Sequence, residues 1–175
     1  MNDADLEHLY RCIELAEEAL LAGDEPFGSV LVDAEGRALA EDRNRIAGGD
    51  RTRHPEFALA RWAAENMTPD NRAGATVYTS GEHCPMCAAA HGWVGLGRIV
   101  YAASSQQLTG WLEEMGVPAG PVRPLSVRDV APGVIVEGRR RNWSTRSVGC
   151  IADATSVSER RRAAEKLRGR RDSGW

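Results

Sequence analysis

The 175-residue chain contains no run of about 18 apolar residues, which excludes a transmembrane helix. Its first residues, Met1-Asn2-Asp3-Ala4-Asp5, are acidic and open no apolar signal core, so a cytoplasmic protein without a secretory signal is expected. Cysteine is scarce. Four residues are too few for a disulfide scaffold, and the close pair Cys84 and Cys87 reads as metal-binding or redox-active instead. Internal repeats and low-complexity tracts are absent as well. What is present, 42% hydrophobic and 27% charged residues, fits a folded globular protein and excludes wholesale disorder. The length suits one domain with a sizeable core.

The net charge of −3 is unevenly shared. Residues 139–175 carry eleven Lys plus Arg against four acids, a net +7, while residues 1–138 carry eleven against twenty-one, a net −10. The split divides the chain into a body at 1–138 and a basic C-terminal extension at 139–175. Few aromatic side chains in the extension are available to stack on bases. It is therefore expected to dock on the acidic body of its own or a second subunit rather than on nucleic acid.

Apolar residues recur at three- and four-residue steps from Leu6 to Leu21, which predicts an amphipathic helix stopped by Gly23. Phe27 to Val32 and Arg37 to Asn44, joined by the turn Asp33-Ala34-Glu35-Gly36, predict a β-hairpin. A helix is expected from Pro55 to about Met67, ending before Pro69. Ala75 to Thr79 reads as a strand, Pro85 to about Val94 as a helix and Arg98 to Ala102 as a strand. Further on, Gln106 to Met115 suggests a helix, Gly133 to Glu137 a strand, and Ser156-x-x-Glu159 caps a helix over about Val157 to Leu167. The Pro- and Gly-rich stretch Gly116 to Pro132 has no clear period. The order β, β, α, β, α, β from residue 27 suggests an α/β sandwich with helices on both sheet faces.

Three candidate metal ligands stand out. Cys84-Pro85-Met86-Cys87 sets two thiols one helical turn apart at a helix N-terminus, where the dipole and free N–H groups favour thiolate. His54, at the start of the preceding helix, offers a neutral imidazole. Zinc takes such donors in a tetrahedron, and three protein ligands leave the fourth corner to water, the catalytic rather than the structural arrangement. Glu56 follows His54 by two residues. At a helix start, that spacing lets its carboxylate face the water without ligating the metal, where it can carry protons. A structural zinc knot would need a fourth protein ligand, His91, His83 or Cys150, and would leave Glu56 unexplained. A redox Cys-x-x-Cys would leave His54-x-Glu56 idle.

His54-x-Glu56 followed by Cys84-Pro85-Met86-Cys87 resembles the signature of the zinc-dependent cytidine deaminase superfamily. The resemblance covers about residues 5–115. Pro26-Phe27-Gly28-Ser29-Val30 is similar to the first-strand motif of bacterial guanine deaminases and their cytosine- and tRNA-adenosine-acting relatives. Asn44 matches the asparagine those families set against the base, and Tyr78-Thr79-Ser80-Gly81-Glu82 matches the strand leading into the cysteines. The resemblance implies a three-layer α/β/α sandwich around a mixed sheet of about five strands. It implies one zinc on His54, Cys84 and Cys87, Glu56 as the catalytic proton carrier, and a substrate pocket including Asn44, Phe27, Ser80 and His83. The implied activity is hydrolytic deamination of a free nucleobase or related amino-heterocycle, guanine first, by a homodimer. A tRNA adenosine, cytosine or a nucleoside is the alternative substrate. A non-catalytic zinc-stabilised binding module is the alternative of another class. Neither nucleic acid nor a membrane is expected as a partner.

The chain departs from that pattern twice. Pro55 stands where the family usually has Ala; relatives use the N–H of that residue to hold a carbonyl on the ring, and proline has none. A substitute donor, with Asn44 or His83 as the side chains to supply it, a tilted pose, or a ring without an acceptor there is therefore expected. His83 itself stands where the family usually has Pro. Among the remaining residues, Asn44 could instead bond its own backbone as a strand-end turn residue. Phe27 suits core or pocket wall equally, Trp93 is expected in the core, and Cys12 and Cys150 read as ordinary thiols.

Overall fold

The computed structural model describes residues 2–138, so the basic extension and its expected helix lie outside the described residues. Helix α1 (Asp3–Leu21) begins three residues before its apolar spacing does, because Asn2 and Asp5 form a capping box. The Asn2 side chain accepts the Asp5 N–H at 2.9 Å and the Asp5 carboxylate accepts the Asn2 N–H at 2.7 Å. Strands β1 (Gly28–Val32) and β2 (Ala38–Arg43) form the expected hairpin, followed by a single 3₁₀ turn, Ile46–Gly48. Then come α2 (Pro55–Asn66), a short α3 (Pro69–Gly74), β3 (Thr76–Gly81), α4 (Pro85–Val94) and β4 (Arg98–Ala103). The described part ends with α5 (Ser105–Glu114), α6 (Val127–Val130) and β5 (Val136–Gly138).

The five strands make one mixed sheet in the order β2-β1-β3-β4-β5. β1 is antiparallel to both β2 and β3, whereas β3, β4 and β5 run parallel. Side chains alternate between the faces. Val30, Val32, Tyr78, Val100 and Ala102 meet Leu9, Cys12, Ile13 and Leu15 of α1 on one side. Leu31 and Val77 meet Leu59, Ala60 and Ala63 of α2 on the other, and Ile99 and Val136 meet Ala88 of α4 and Val127 of α6. This is the three-layer α/β/α arrangement. α1 lies close against β1 because Gly28 has no Cβ; one there would collide with Leu15 and the Cys12 carbonyl.

Two elements differ from the sequence reading. Pro69, read as a stop, is the first residue of α3, where its missing N–H is harmless, and Thr68 Oγ1 caps that helix at Asn71 N. α6 forms within the stretch that shows no period because Ser126 and Asp129 make a capping box. Trp93, expected in the core, is 90% exposed on α4. A partly buried ion network joins the ends of the body: Asp5 accepts from Tyr78 Oη at 2.8 Å and from Arg98 Nη1 at 2.9 Å, and Arg98 Nε reaches the more exposed Glu137 at 2.9 Å. Among the described residues no helix is long and apolar enough to cross a membrane.

Candidate metal centre

His54 is the residue before Pro55, the first residue of α2, and Cys84 is the residue before Pro85, the first of α4. Each proline suits the first turn of its helix, so the two helix starts are locally fixed. Packing of α2 and α4 on the same sheet face brings the two starts together. His54 Nδ1 lies 3.6 Å from Cys84 Sγ and 3.7 Å from Cys87 Sγ, and the two sulfurs are 3.5 Å apart. A tetrahedral zinc, with Zn–S about 2.3 Å and Zn–N about 2.0–2.1 Å, needs donor edges of about 3.6–3.8 Å. The three observed edges therefore fit one face of such a tetrahedron, and the donor set N, S, S suits zinc. Among the described residues no other group of three or more possible ligands gathers like this. His91 is turned away, its Nε2 donating to Gly97 O at 3.0 Å.

The donors are electrostatically coupled. Hydrogen bonds from Cys87 and then His54 pull the Cys84 thiol down to about 4, against the effect of burial. Cys87 is pushed up by its Cys84 neighbour and by burial. His54 is raised, first by its contact with Cys84. Glu56, only 5% exposed, is pushed up by burial and interacts with both His54 and Cys84. A carboxyl raised in this way is a better proton carrier near neutral pH.

The other expected site residues fall into two groups. Asn44 is fully buried beside the hairpin end, its N–H donating to Phe27 O at 2.9 Å. Asn44 Oδ1 accepts the Ile46 N–H at 3.1 Å, the turn bond expected of a strand-end residue, while Nδ2 is a buried donor without a partner among the described residues. Phe27 lies against Gly81, where an added Cβ would come within 3.0 Å of its ring. Ser80 Oγ accepts the Gly28 N–H at 3.1 Å, tying β3 to β1. His83 is 1% exposed and meets His91 edge-on at 5.3 Å between ring centroids, with neither ring nitrogen hydrogen-bonded among the described residues. Burial holds it well below the usual histidine range. Its ring packs against His91 of α4.

Three further residues shape the centre; they lie in the motif segments around Gly28 and Ser80, but the sequence reading gives none of them a role. Glu82 accepts the N–H groups of Ser105 and Val127 at 2.9 and 3.0 Å and so anchors the loop before Cys84 to α5 and α6. Thr79 Oγ1 lies 2.9 Å from Glu56 Oε1, and Ser29 Oγ donates to Thr79 Oγ1 at 2.9 Å. Strand alternation puts Ser29 and Thr79 on the α2 face, but only their pairing across the sheet makes them partners.

Residues 2–103 match the model of the cytidine and deoxycytidylate deaminase zinc-binding region, more than half of the chain. A Schizosaccharomyces pombe protein named "Probable cytosine deaminase" is 29% identical over 116 residues, 66% of this chain and 70% of that one. A tRNA-specific adenosine deaminase of Agrobacterium fabrum is 38% identical over 104 residues, 57% of this chain and 66% of that one. A guanine deaminase of Bacillus subtilis is 36% identical over 97 residues, 54% of this chain and 62% of that one. The solved structure of a Bacillus subtilis guanine deaminase superposes with a TM-score of 0.52 at 26% identity, covering 82% of this chain and 88% of that one. The chain thus spans between 62% and 70% of the length of these curated relatives.

Proposed function

The chain belongs to the zinc-binding cytidine and deoxycytidylate deaminase family, and from that premise we propose that it hydrolytically deaminates a free nucleobase or related amino-heterocycle, guanine first, with release of ammonia. The observation that carries this reading is the buried Glu56 carboxyl beside the His54, Cys84 and Cys87 donors. Those three side chains would hold the zinc. When bound, zinc supplies the Lewis acidity that makes water a nucleophile near neutral pH. Glu56 would take a proton from the attacking water and give it to the ring nitrogen, then take the second proton from the added hydroxyl and give it to the amine, which leaves as ammonia as the carbonyl forms. The Asn44 amide offers the hydrogen bond to a ring acceptor that the Pro55 backbone does not. Its Nδ2 is buried without a partner among the described residues, a cost of about 1–3 kcal/mol that a ligand acceptor would relieve. Phe27 forms a wall, and Ser80 keeps the β1 start in place beneath it.

The net −10 of residues 1–138 supports a small uncharged substrate over RNA, whose affinity comes largely from phosphate contacts. In the same reading the protein is a homodimer, and the +7 extension docks on the acidic body. The test is a substrate panel of free bases, nucleosides and tRNA, with ammonia release as the readout. Turnover of guanine or another free base by the zinc-loaded protein is the expected result. Turnover confined to tRNA, with salt-sensitive binding that disappears when residues 156–175 are deleted, would establish the RNA reading instead.

A further inference from the structure

Glu56 is held by two hydroxyls outside the His54-x-Glu56 and Cys84-Pro85-Met86-Cys87 motifs. Ser29 and Thr79 are cross-strand partners on β1 and β3, both fully buried. Thr79 Oγ1 stands 2.9 Å from Glu56 Oε1, from Gly81 O and from Ser29 Oγ. A hydroxyl has one hydrogen to give, and a carboxylate oxygen or a carbonyl can only accept. Thr79 must therefore direct its hydrogen at Glu56 or at Gly81. It cannot also supply Ser29, so Ser29 is the donor in their pair. With the Thr79 hydrogen on Glu56, the chain runs from Ser29 to Thr79 to Glu56 and ties one carboxyl oxygen to the centre of the sheet; Gly81 O is the competing acceptor.

We propose that Thr79, braced by Ser29, is a positioning residue that fixes the orientation of the Glu56 carboxyl for its proton transfers. The proposal rests on the reading of Glu56 as the proton carrier. A free carboxyl turns about its last side-chain torsion with little resistance. Proton transfer needs the accepting oxygen within hydrogen-bond reach of the proton it takes. A displacement of about 1 Å in a catalytic group can cost about 10²-fold in rate. All three side chains are buried, which limits the access of bulk water to replace the missing bond; the other contacts of the carboxyl include a backbone hydrogen bond and Cys87.

The experiment compares Thr79→Val, Thr79→Ser and Ser29→Ala with Glu56→Gln, on whichever member of the substrate panel wild type turns over fastest. Bound zinc is measured for each protein, and a crystal structure of zinc-loaded Thr79→Val reports the Glu56 rotamer. Thr79→Val should keep its zinc and a KM within about threefold while kcat falls about 10- to 100-fold. Thr79→Ser should recover most of that loss, Ser29→Ala should lose about 3- to 10-fold in kcat, and Glu56 should leave its wild-type orientation in the valine variant. Wild-type kcat and an unmoved Glu56 in Thr79→Val, with Glu56→Gln inactive, overturn the proposal and leave the role of Glu56 standing. An active, zinc-loaded Glu56→Gln overturns the role of Glu56 itself. A loss confined to KM also overturns the positioning role. Should Thr79→Val fail to fold, Ser29→Ala decides: a lower kcat with zinc retained supports the tie, and wild-type kcat refutes it.

Discussion

Cys84 Sγ and Cys87 Sγ stand 3.5 Å apart at the start of α4, the spacing of two ligands on one metal ion. Zinc analysis of the purified protein should therefore give one ion per chain. Cys84→Ser and His54→Ala should each lose it. A chelator should lower the melting temperature on the order of 10 °C, since zinc at a thousand times its Kd stabilises by about 4 kcal/mol. Full zinc occupancy in both variants would remove the centre from this place.

Glu56→Gln keeps the shape of the side chain and removes its ability to carry a proton. The variant should bind zinc normally and lose turnover by about 10²–10⁴-fold or more. Near-normal activity in the zinc-loaded variant would refute the assignment.

Substitutions at Asn44 and Pro55 test the substrate reading. Asn44→Ala removes the buried donor and should raise KM for guanine about tenfold or more. Pro55→Ala restores a backbone N–H at the start of α2. If it sharply increases activity on guanine or cytosine, the natural substrate is a ring without an acceptor at that point. An unchanged KM in Asn44→Ala would separate this residue from the base.

Asp5 gives the fold a defined acid response. Burial alone would raise its pKa, but hydrogen bonds from Arg98 and Tyr78 outweigh burial and bring it to about 2, below the ordinary 3.8. Because the folded value is the lower one, its stabilisation is complete above about pH 4 and is lost as pH falls through about 2. The shift corresponds to about 2–3 kcal/mol. Denaturation of Asp5→Asn should show that deficit at pH 7, with wild type losing its advantage between about pH 4 and pH 2. A gap that persists unchanged to pH 2 would assign the stabilisation to other groups.

The gathering of His54, Cys84 and Cys87 was legible in the sequence because each of its two halves is locally spaced and together they match a known signature. Cys84 and Cys87 are spaced by a helical turn, Glu56 by two residues from His54, and a proline marks each helix start. Ser29 and Thr79 were not legible, because 50 residues separate them and alternation fixes only the face of each. α3 was hidden by the double meaning of proline, which both ends one helix and begins the next at Pro69. For His83, neighbourhood in sequence did not indicate direction. It precedes Cys84, yet its ring points to His91.

The metal donors come from two ends of a long stretch of chain: His54 follows the β1–β2 hairpin and Cys84 follows β3, 30 residues on. An ion held by both closes that stretch into a ring, like a covalent cross-link. A closed loop of this size withdraws about 3.6 kcal/mol of chain entropy from the unfolded ensemble, on the scale derived for disulfides. Unravelling of α2 from its first turn then requires release of the ion, and so does unravelling of α4. The amides at both helix starts should accordingly exchange with solvent at one shared rate in the zinc-loaded protein, and at two different rates after chelation.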